Sequence, residues 1–189
     1  MSSRTIARED RRTALVLAAY RQIAERGFEG LRTREVAAEV GVNIATLHYY
    51  FPTKEKLIEG VVAHTMDRFR TTLPAGGSSQ HLILGYLRGV RRRLAEEPAL
   101  GAVMGEVALR SSRDPALAQI LQNMNETWHK AVRGLLKQAA RRGQIARELD
   151  SDRVAAIIVA VLASLSLPRA GMRNGQALSQ LEHWVTRKE

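Results

Sequence analysis

Gly41 separates two short runs of helical periodicity, neither of which can stand alone. Before it, Val36, Ala37 and Val40 fall on one helical face; after it, Leu47, Tyr50 and Phe51 recur at i, i+3 and i+4. Helices this short are marginal in water unless a packed neighbour buries their apolar stripe. The preceding segment supplies that neighbour. Leu15, Ala18, Ala19 and Ile23 make a single stripe that stops at Gly27, a residue suited to a helix end. Thr33 is expected to cap the second helix and Asn43 the third, both being short side chains with an oxygen that takes a free first-turn amide. Pro52 breaks the third helix, and Thr53 opens a fourth that runs through Leu57, Val61 and Phe69 toward Leu73. The expected product is a three-helix head with a helix-turn-helix between Thr33 and Phe51. Its third helix turns Leu47, Tyr50 and Phe51 inward and leaves Ile44, Ala45, His48 and Tyr49 partly or wholly outside. Such a helix can lie in a DNA major groove with its first residues facing base edges.

Nothing after the head reads as strand, because period-2 alternation never persists. The chain is expected to be all-α, with about nine helices and a division into a helix-turn-helix domain at 1–52 and a larger helical domain at 53–189. Pro74-Ala-Gly-Gly-Ser-Ser79 reads as a loop, and further helices are expected at about 80–96, 98–111, 115–142, 151–167 and 175–188. Pro98 and Pro115 suit first-turn positions, Asp114 an N-cap, Gly143 a helix end, and Asn174-Gly175 a turn.

Composition removes whole classes of function. With no cysteine among 189 residues, disulfides, thiolate zinc sites and thiol catalysis are excluded, which agrees with a reducing cytoplasm. Apolar residues at 45% argue against disorder. The first residues lack the apolar run of a signal peptide, and the longest apolar stretch, Val154 to Leu167, is too short to span a bilayer. A cytoplasmic protein is the expectation. No His-Glu-x-x-His, Gly-x-Ser-x-Gly or phosphate-binding glycine loop occurs, and the five histidines are scattered singly, so neither catalysis, a metal site nor a cofactor is expected. The formal charge of +10 suits an acidic partner, but residues 1–60 carry 10 Lys+Arg against 8 Asp+Glu, and residues 61–189 carry 19 against 11. Net charge therefore does not locate a DNA site. Arg91-Arg92-Arg93 and Arg141-Arg142 read as solvated faces, and a helical adaptor using them to bind anionic surfaces without sequence preference stands as the alternative to a DNA reader.

The residues from Ala14 to Leu57 favour the DNA reader. Ala24-Glu-Arg-Gly-Phe28, Thr33-Arg-Glu-Val-Ala37, Gly41-Val42, Thr46-Leu47 and Tyr50-Phe-Pro-Thr-Lys-Glu55 together resemble the N-terminal domain of the TetR family of transcriptional regulators. The resemblance implies a homodimer that binds a palindromic operator in double-stranded DNA, usually as a repressor, and is released by a small-molecule effector. Position by position it implies a base contact from Arg34, whose guanidinium can bridge guanine O6 and N7, and phosphate contacts from Thr33, Thr46 and Lys54. Asn43, at the head of the third helix, joins the DNA-facing set. Ile44 and Ala45 are placed to pack on thymine methyl groups, and Tyr49 to touch base or sugar. His48, also in the DNA-facing set, stands where the family most often has tyrosine; the histidine is a departure from the pattern, so the resemblance does not by itself carry the phosphate contact over to it.

The family also implies an effector pocket in the second domain. Candidate walls are Met104, Val107, Leu121, Met124, Trp128 and Leu162, with Glu106, Arg110, Asn125 and His129 as polar anchors and an apolar or amphipathic molecule as the occupant. The segment 151–167 is apolar on every face, so one side is expected to meet its own core and another a second copy of the chain. Val154, Ile157, Ile158, Val161 and Leu165 form the expected seam, joined by Leu178, Leu181 and Val185.

Overall fold

The computed structural model describes residues 3–70, 72, 82–166 and 171–186, and among them it is all-helical. The order is α1 (Ser3–Arg26), a 3-10 turn (Phe28–Gly30), α2 (Thr33–Glu39), α3 (Ile44–Tyr50), α4 (Lys54–Arg70), α5 (Leu82–Glu96), α6 (Pro98–Ser111), α7 (Pro115–Arg141), α8 (Ser151–Ser164) and α9 (Gly171–Thr186). The described residues thus hold the nine expected α-helices. The loop expected at Pro74–Ser79 lies outside the described residues.

Two compact units emerge, and they do not follow a cut after residue 52. The first comprises residues 1–66 with 102–121, and the second residues 67–101 with 122–189. In the first, Leu15, Ala18, Ala19 and Ile23 are wholly buried, as the stripe on α1 requires, together with Val36, Ala37, Leu47 and Phe51. The turn between α2 and α3 is built by Gly41 at φ 72°. Its amide donates to the Ala38 carbonyl at 3.0 Å, and the next amide, Val42, reaches back to Ala37 at 2.9 Å. A side chain would strain that left-handed residue, so the glycine closes α2 and releases α3 at once. Gly143, at φ 65°, ends α7 with the same pair of bonds, to Ala140 and Ala139.

Local signals placed most boundaries. Asn43 caps α3, Thr53 Oγ1 accepts the Lys56 amide at 3.2 Å, and Asp114 Oδ1 accepts from Ala116 and Leu117 at the start of α7. Pro98 and Pro115 open their helices. Three expectations need correcting. Thr33 is the first residue of α2 and not its cap; the cap position belongs to Arg32, in extended conformation without a side-chain cap bond. The buried Gln22 is the cause: its Oε1 accepts the Arg32 amide at 3.2 Å and fixes the chain one residue earlier. Asn174-Gly175 is not a turn but lies inside α9. The 3-10 turn at Phe28–Gly30 was not expected at all.

In the second unit, α9 packs on α5 and α8. Ala155, Ile158, Val159 and Leu162 of α8 and Leu178 and Leu181 of α9 are buried. Tyr86 and Trp128 are buried as well, with the indole Nε1 donating to the Tyr86 hydroxyl and the ring stacked on Phe69 at 5.8 Å. Burial pushes the Tyr86 phenol up to about 12, while the indole donor works in the opposite direction. Glu97 is gripped by Arg68 and Arg93, and the Arg68 hydrogen bond holds its carboxyl below the usual range.

Candidate nucleic-acid interface

The exposed side of α3 follows from what its other side buries. With Leu47 and Phe51 in the core, Ala45, His48 and Tyr49 are driven outward and Ile44 and Thr46 are half-exposed. Tyr49 is 65% exposed, and its ring meets Tyr50 edge-on at 5.2 Å. At the start of the helix, Asn43 Oδ1 accepts both the Thr46 amide (2.7 Å) and the Thr46 hydroxyl (2.9 Å). The cap is therefore doubled. It also commits the Thr46 proton within the protein, so a phosphate bond from that hydroxyl requires the side chain to rotate away from Asn43.

On α2, Arg34 is exposed, with no ion pair among the described residues, and Thr33 is half-exposed. Its acidic neighbours are occupied elsewhere: Glu39 pairs with Arg21 at 2.6 Å and Glu35 with Arg26 at 2.7 Å, both from α1. These pairs offset the two carboxylates that would otherwise repel a phosphate backbone beside Arg34. Arg12 was missed in the sequence. Its guanidinium lies 5.0 Å from the Phe51 ring centre, which puts an exposed cation at the C-terminal end of α3. Only its position three residues before the buried Leu15 hinted at this.

Lys54 is more committed than expected. Its ammonium lies 5.1 Å from the Phe28 ring centre, and burial first, then the Arg32 charge, lowers its pKa, with Glu29 acting against them. The group carries a charge, but one that the protein already surrounds.

The residues expected to form an effector pocket do not gather in one unit. Met104, Glu106, Val107, Arg110 and Leu121 belong to the first, and Met124, Asn125, Trp128, His129 and Leu162 to the second. Glu106 accepts the Phe28 amide at 2.8 Å and Arg110 pairs with Glu29, so both hold the turn after α1. His129 is turned to the Asp152 carbonyl at 3.1 Å, tying α7 to the start of α8. Asn125 differs from these, because its Oδ1 is shielded from solvent and finds no hydrogen-bond partner among the described residues.

The dimer seam also needs revision. Ile158, Leu178 and Leu181 are buried in the chain's own core and are closed to a second copy. Ile157 is 45% exposed, and Val154, Val161 and Leu165 are half-buried. Val185 lies outside the described side chains. Trp184, 57% exposed on α9, is a large apolar group that the sequence reading passed over.

This geometry is that of a helix-turn-helix regulator, and comparison with known proteins agrees. The family model of bacterial regulatory proteins, tetR family, matches residues 15–61, and the tetracyclin repressor-like C-terminal domain matches residues 73–173. The chain belongs to the TetR family of transcriptional regulators. It is 21% identical over 140 residues to the HTH-type transcriptional regulator UidR of Escherichia coli strain K12, covering 74% of this chain and 71% of that protein. Its fold is similar to that of a Rhodococcus sp. protein described as a TetR-family regulator, with TM-score 0.78, 22% identity and coverage of 94% and 99%. It is also similar to the multidrug binding protein EbrR complexed with imidazole, with TM-score 0.67, 21% identity and coverage of 95% and 97%. No helix among the described residues is long and apolar enough to cross a membrane.

Proposed function

We propose that this regulator binds a palindromic operator as a homodimer, represses from it, and leaves it when a small molecule binds. The observation that carries the reading is the exposed surface made by Arg34 of α2 and Ala45, His48 and Tyr49 of α3, held open by the Asn43 cap. Arg34 reads a base through its guanidinium, Ile44 and Ala45 lie against thymine methyls, and Thr33, Arg12 and Lys54 face the phosphate backbone. Selection of bound fragments from genomic DNA tests this directly. A palindromic site bound far more tightly than either half-site supports it; binding that shows no sequence preference overturns it in favour of the anionic-surface adaptor.

The homodimer rests on the apolar groups that folding leaves outside, Ile157 of α8 and Trp184 of α9. Sedimentation equilibrium of the wild type is expected to give twice 21.0 kDa, and Ile157→Glu to shift it toward monomer. A wild-type monomer at micromolar concentration overturns the claim.

The effector site belongs to the second unit, where Asn125 offers an unpaired, shielded acceptor. Such an oxygen favours an apolar or amphipathic molecule carrying one donor. That EbrR, a protein of the same fold, holds imidazole in its crystal is compatible with a small nitrogen donor. Linkage supplies the test, since operator DNA must weaken effector binding by the factor by which effector weakens operator binding. Binders from a metabolite screen that leave DNA affinity unchanged overturn the sensing role.

A further inference from the structure

Phe28 is buried, and its amide has a problem that the backbone around it does not solve. In the 3-10 turn, Gly27 donates to Ile23, Gly30 to Gly27 and Leu31 to Phe28, while the Phe28 amide donates to a carboxylate 78 residues away, Glu106 Oε2 of α6, at 2.8 Å. A buried amide without an acceptor is costly, and a charged acceptor makes the stronger bond. Gly27 is shaped to this contact twice over. It adopts φ 68°, and a Cβ there would lie 3.1 Å from Glu106 Oε2 and 3.3 Å from its Cδ. One helical turn on, Arg110 of α6 pairs with Glu29, and its guanidinium lies 5.3 Å from the centre of the Phe28 ring. Residues 106 and 110 share a helix face, so that face meets three consecutive residues, Gly27, Phe28 and Glu29, through a tight approach, a hydrogen bond and an ion pair.

We propose that Glu106 is a positioning residue for DNA reading: by holding the Phe28 amide it fixes where the turn after α1 ends, and therefore where α2 begins. Between Phe28 and Arg34 lie five residues, and no side chain caps α2 from Arg32. The start of α2 is thus set from upstream, by Gln22 on the Arg32 amide and by Glu106 on the Phe28 amide. Arg110 braces the same turn. The inference rests on the DNA-reading role of the head, and Glu106 itself touches no DNA.

The experiment uses the full-length protein and the genomic fragments that the wild type selects. Hydrogen exchange over residues 27–32 reads the clamp without DNA, and titration of a selected fragment reads the consequence. In Glu106→Ala, exchange is expected to rise roughly tenfold and affinity for the fragment to fall about tenfold. Glu106→Gln, which keeps an acceptor oxygen at the same reach, is expected to restore both to within about threefold. Leu109→Ala, at an exposed neighbour on α6, should change neither. If Glu106→Ala does not fold, Glu106→Asp, one methylene too short to reach the amide, takes its place with the same expectation. Faster exchange with unchanged affinity overturns the proposal, as does a Gln variant that recovers its melting temperature but not its affinity. A wild type that selects no fragments refutes the DNA reading instead, and the exchange result then still decides whether the clamp exists.

Discussion

Asn43 and Trp128 each direct a polar group at the protein itself, but over very different distances along the chain. Asn43 bonds to a residue three positions away, and Trp128 to one 42 positions away. The helix-turn-helix is punctuated by such local devices, the Asn43 and Thr53 caps, the Gly41 turn and a stripe of four residues on α1, while the turn before it takes Glu106 and Arg110 from some eighty residues away. The second unit is held by long-range pairings, among them Trp128 with Tyr86, Leu82 with Gln144 at 3.0 Å and Arg68 with Glu97. Local bonds let a small head form from short helices and leave one side free for a ligand. Long-range bonds give a core in which a single lost partner is felt at several elements.

The largest expected effect tests the second half of that contrast. Trp128→Ala removes the stacking partner of Phe69 and the donor of Tyr86, and should cost about 3–5 kcal/mol in urea unfolding. Leu109→Ala, at an exposed side chain of α6, should change stability by no more than ~0.5 kcal/mol. Equal effects at the two positions would erase the distinction between a packed and an exposed apolar group.

Tyr86→Phe is next. It leaves the buried indole N–H without its acceptor, which should cost ~1–3 kcal/mol at neutral pH. The pH dependence has a definite sign. Because the folded phenol titrates near 12 and the ordinary value is 10.0, the folded state holds more protons between those values. The contribution is therefore complete below pH 10 and fades as the pH climbs toward about 12. Wild type should lose melting temperature across that window more steeply than Tyr86→Phe. Parallel curves would mean that the phenol is not the group responsible.

The same contrast explains what was legible in the sequence. Helix positions, the helix-turn-helix, the inward set Leu47 and Phe51 and the outward set Ala45, His48 and Tyr49 all follow from spacing and local chemistry, and the family signature lies in that stretch. Roles that depend on a distant partner did not follow. Glu106 and Arg110 read as polar anchors on a helix because their partners, Phe28 and Glu29, lie some eighty residues away. Ile158, Leu178 and Leu181 read as an interface because an all-apolar helix does not disclose which face its own chain covers. Thr33 read as a cap because threonine is a good one; Gln22, ten residues upstream, decided otherwise.

Within the head, Arg34→Ala should cost ~1–3 kcal/mol at the operator and relax preference at one symmetric pair of base positions. It lies on an exposed first turn, so the melting temperature should stay. Affinity measured on single-base variants is the check. An unchanged base preference with a flatter salt dependence would move Arg34 to the phosphate contacts, and the reading surface would then rest on α3.

The smallest effect is expected at Lys54, and it divides the two kinds of bond within one residue. If its ammonium contacts a phosphate, Lys54→Ala should lower affinity for every sequence about equally and make the slope of log K against log salt shallower by ~1 per head. Its present neighbours argue for a smaller share. The ammonium faces the Phe28 ring, Arg32 repels it, and burial already lowers its pKa. An approaching phosphate must compete with the Phe28 ring and the Glu29 charge for that ammonium, so the cation gains less from DNA than a free surface lysine would. The control is Lys56→Ala, whose ammonium is paired with Glu59 at 2.8 Å and should leave the slope unchanged. A salt titration in which both variants match the wild type would assign Lys54 to the turn that Glu106 and Arg110 hold, as a bracing cation rather than a DNA contact.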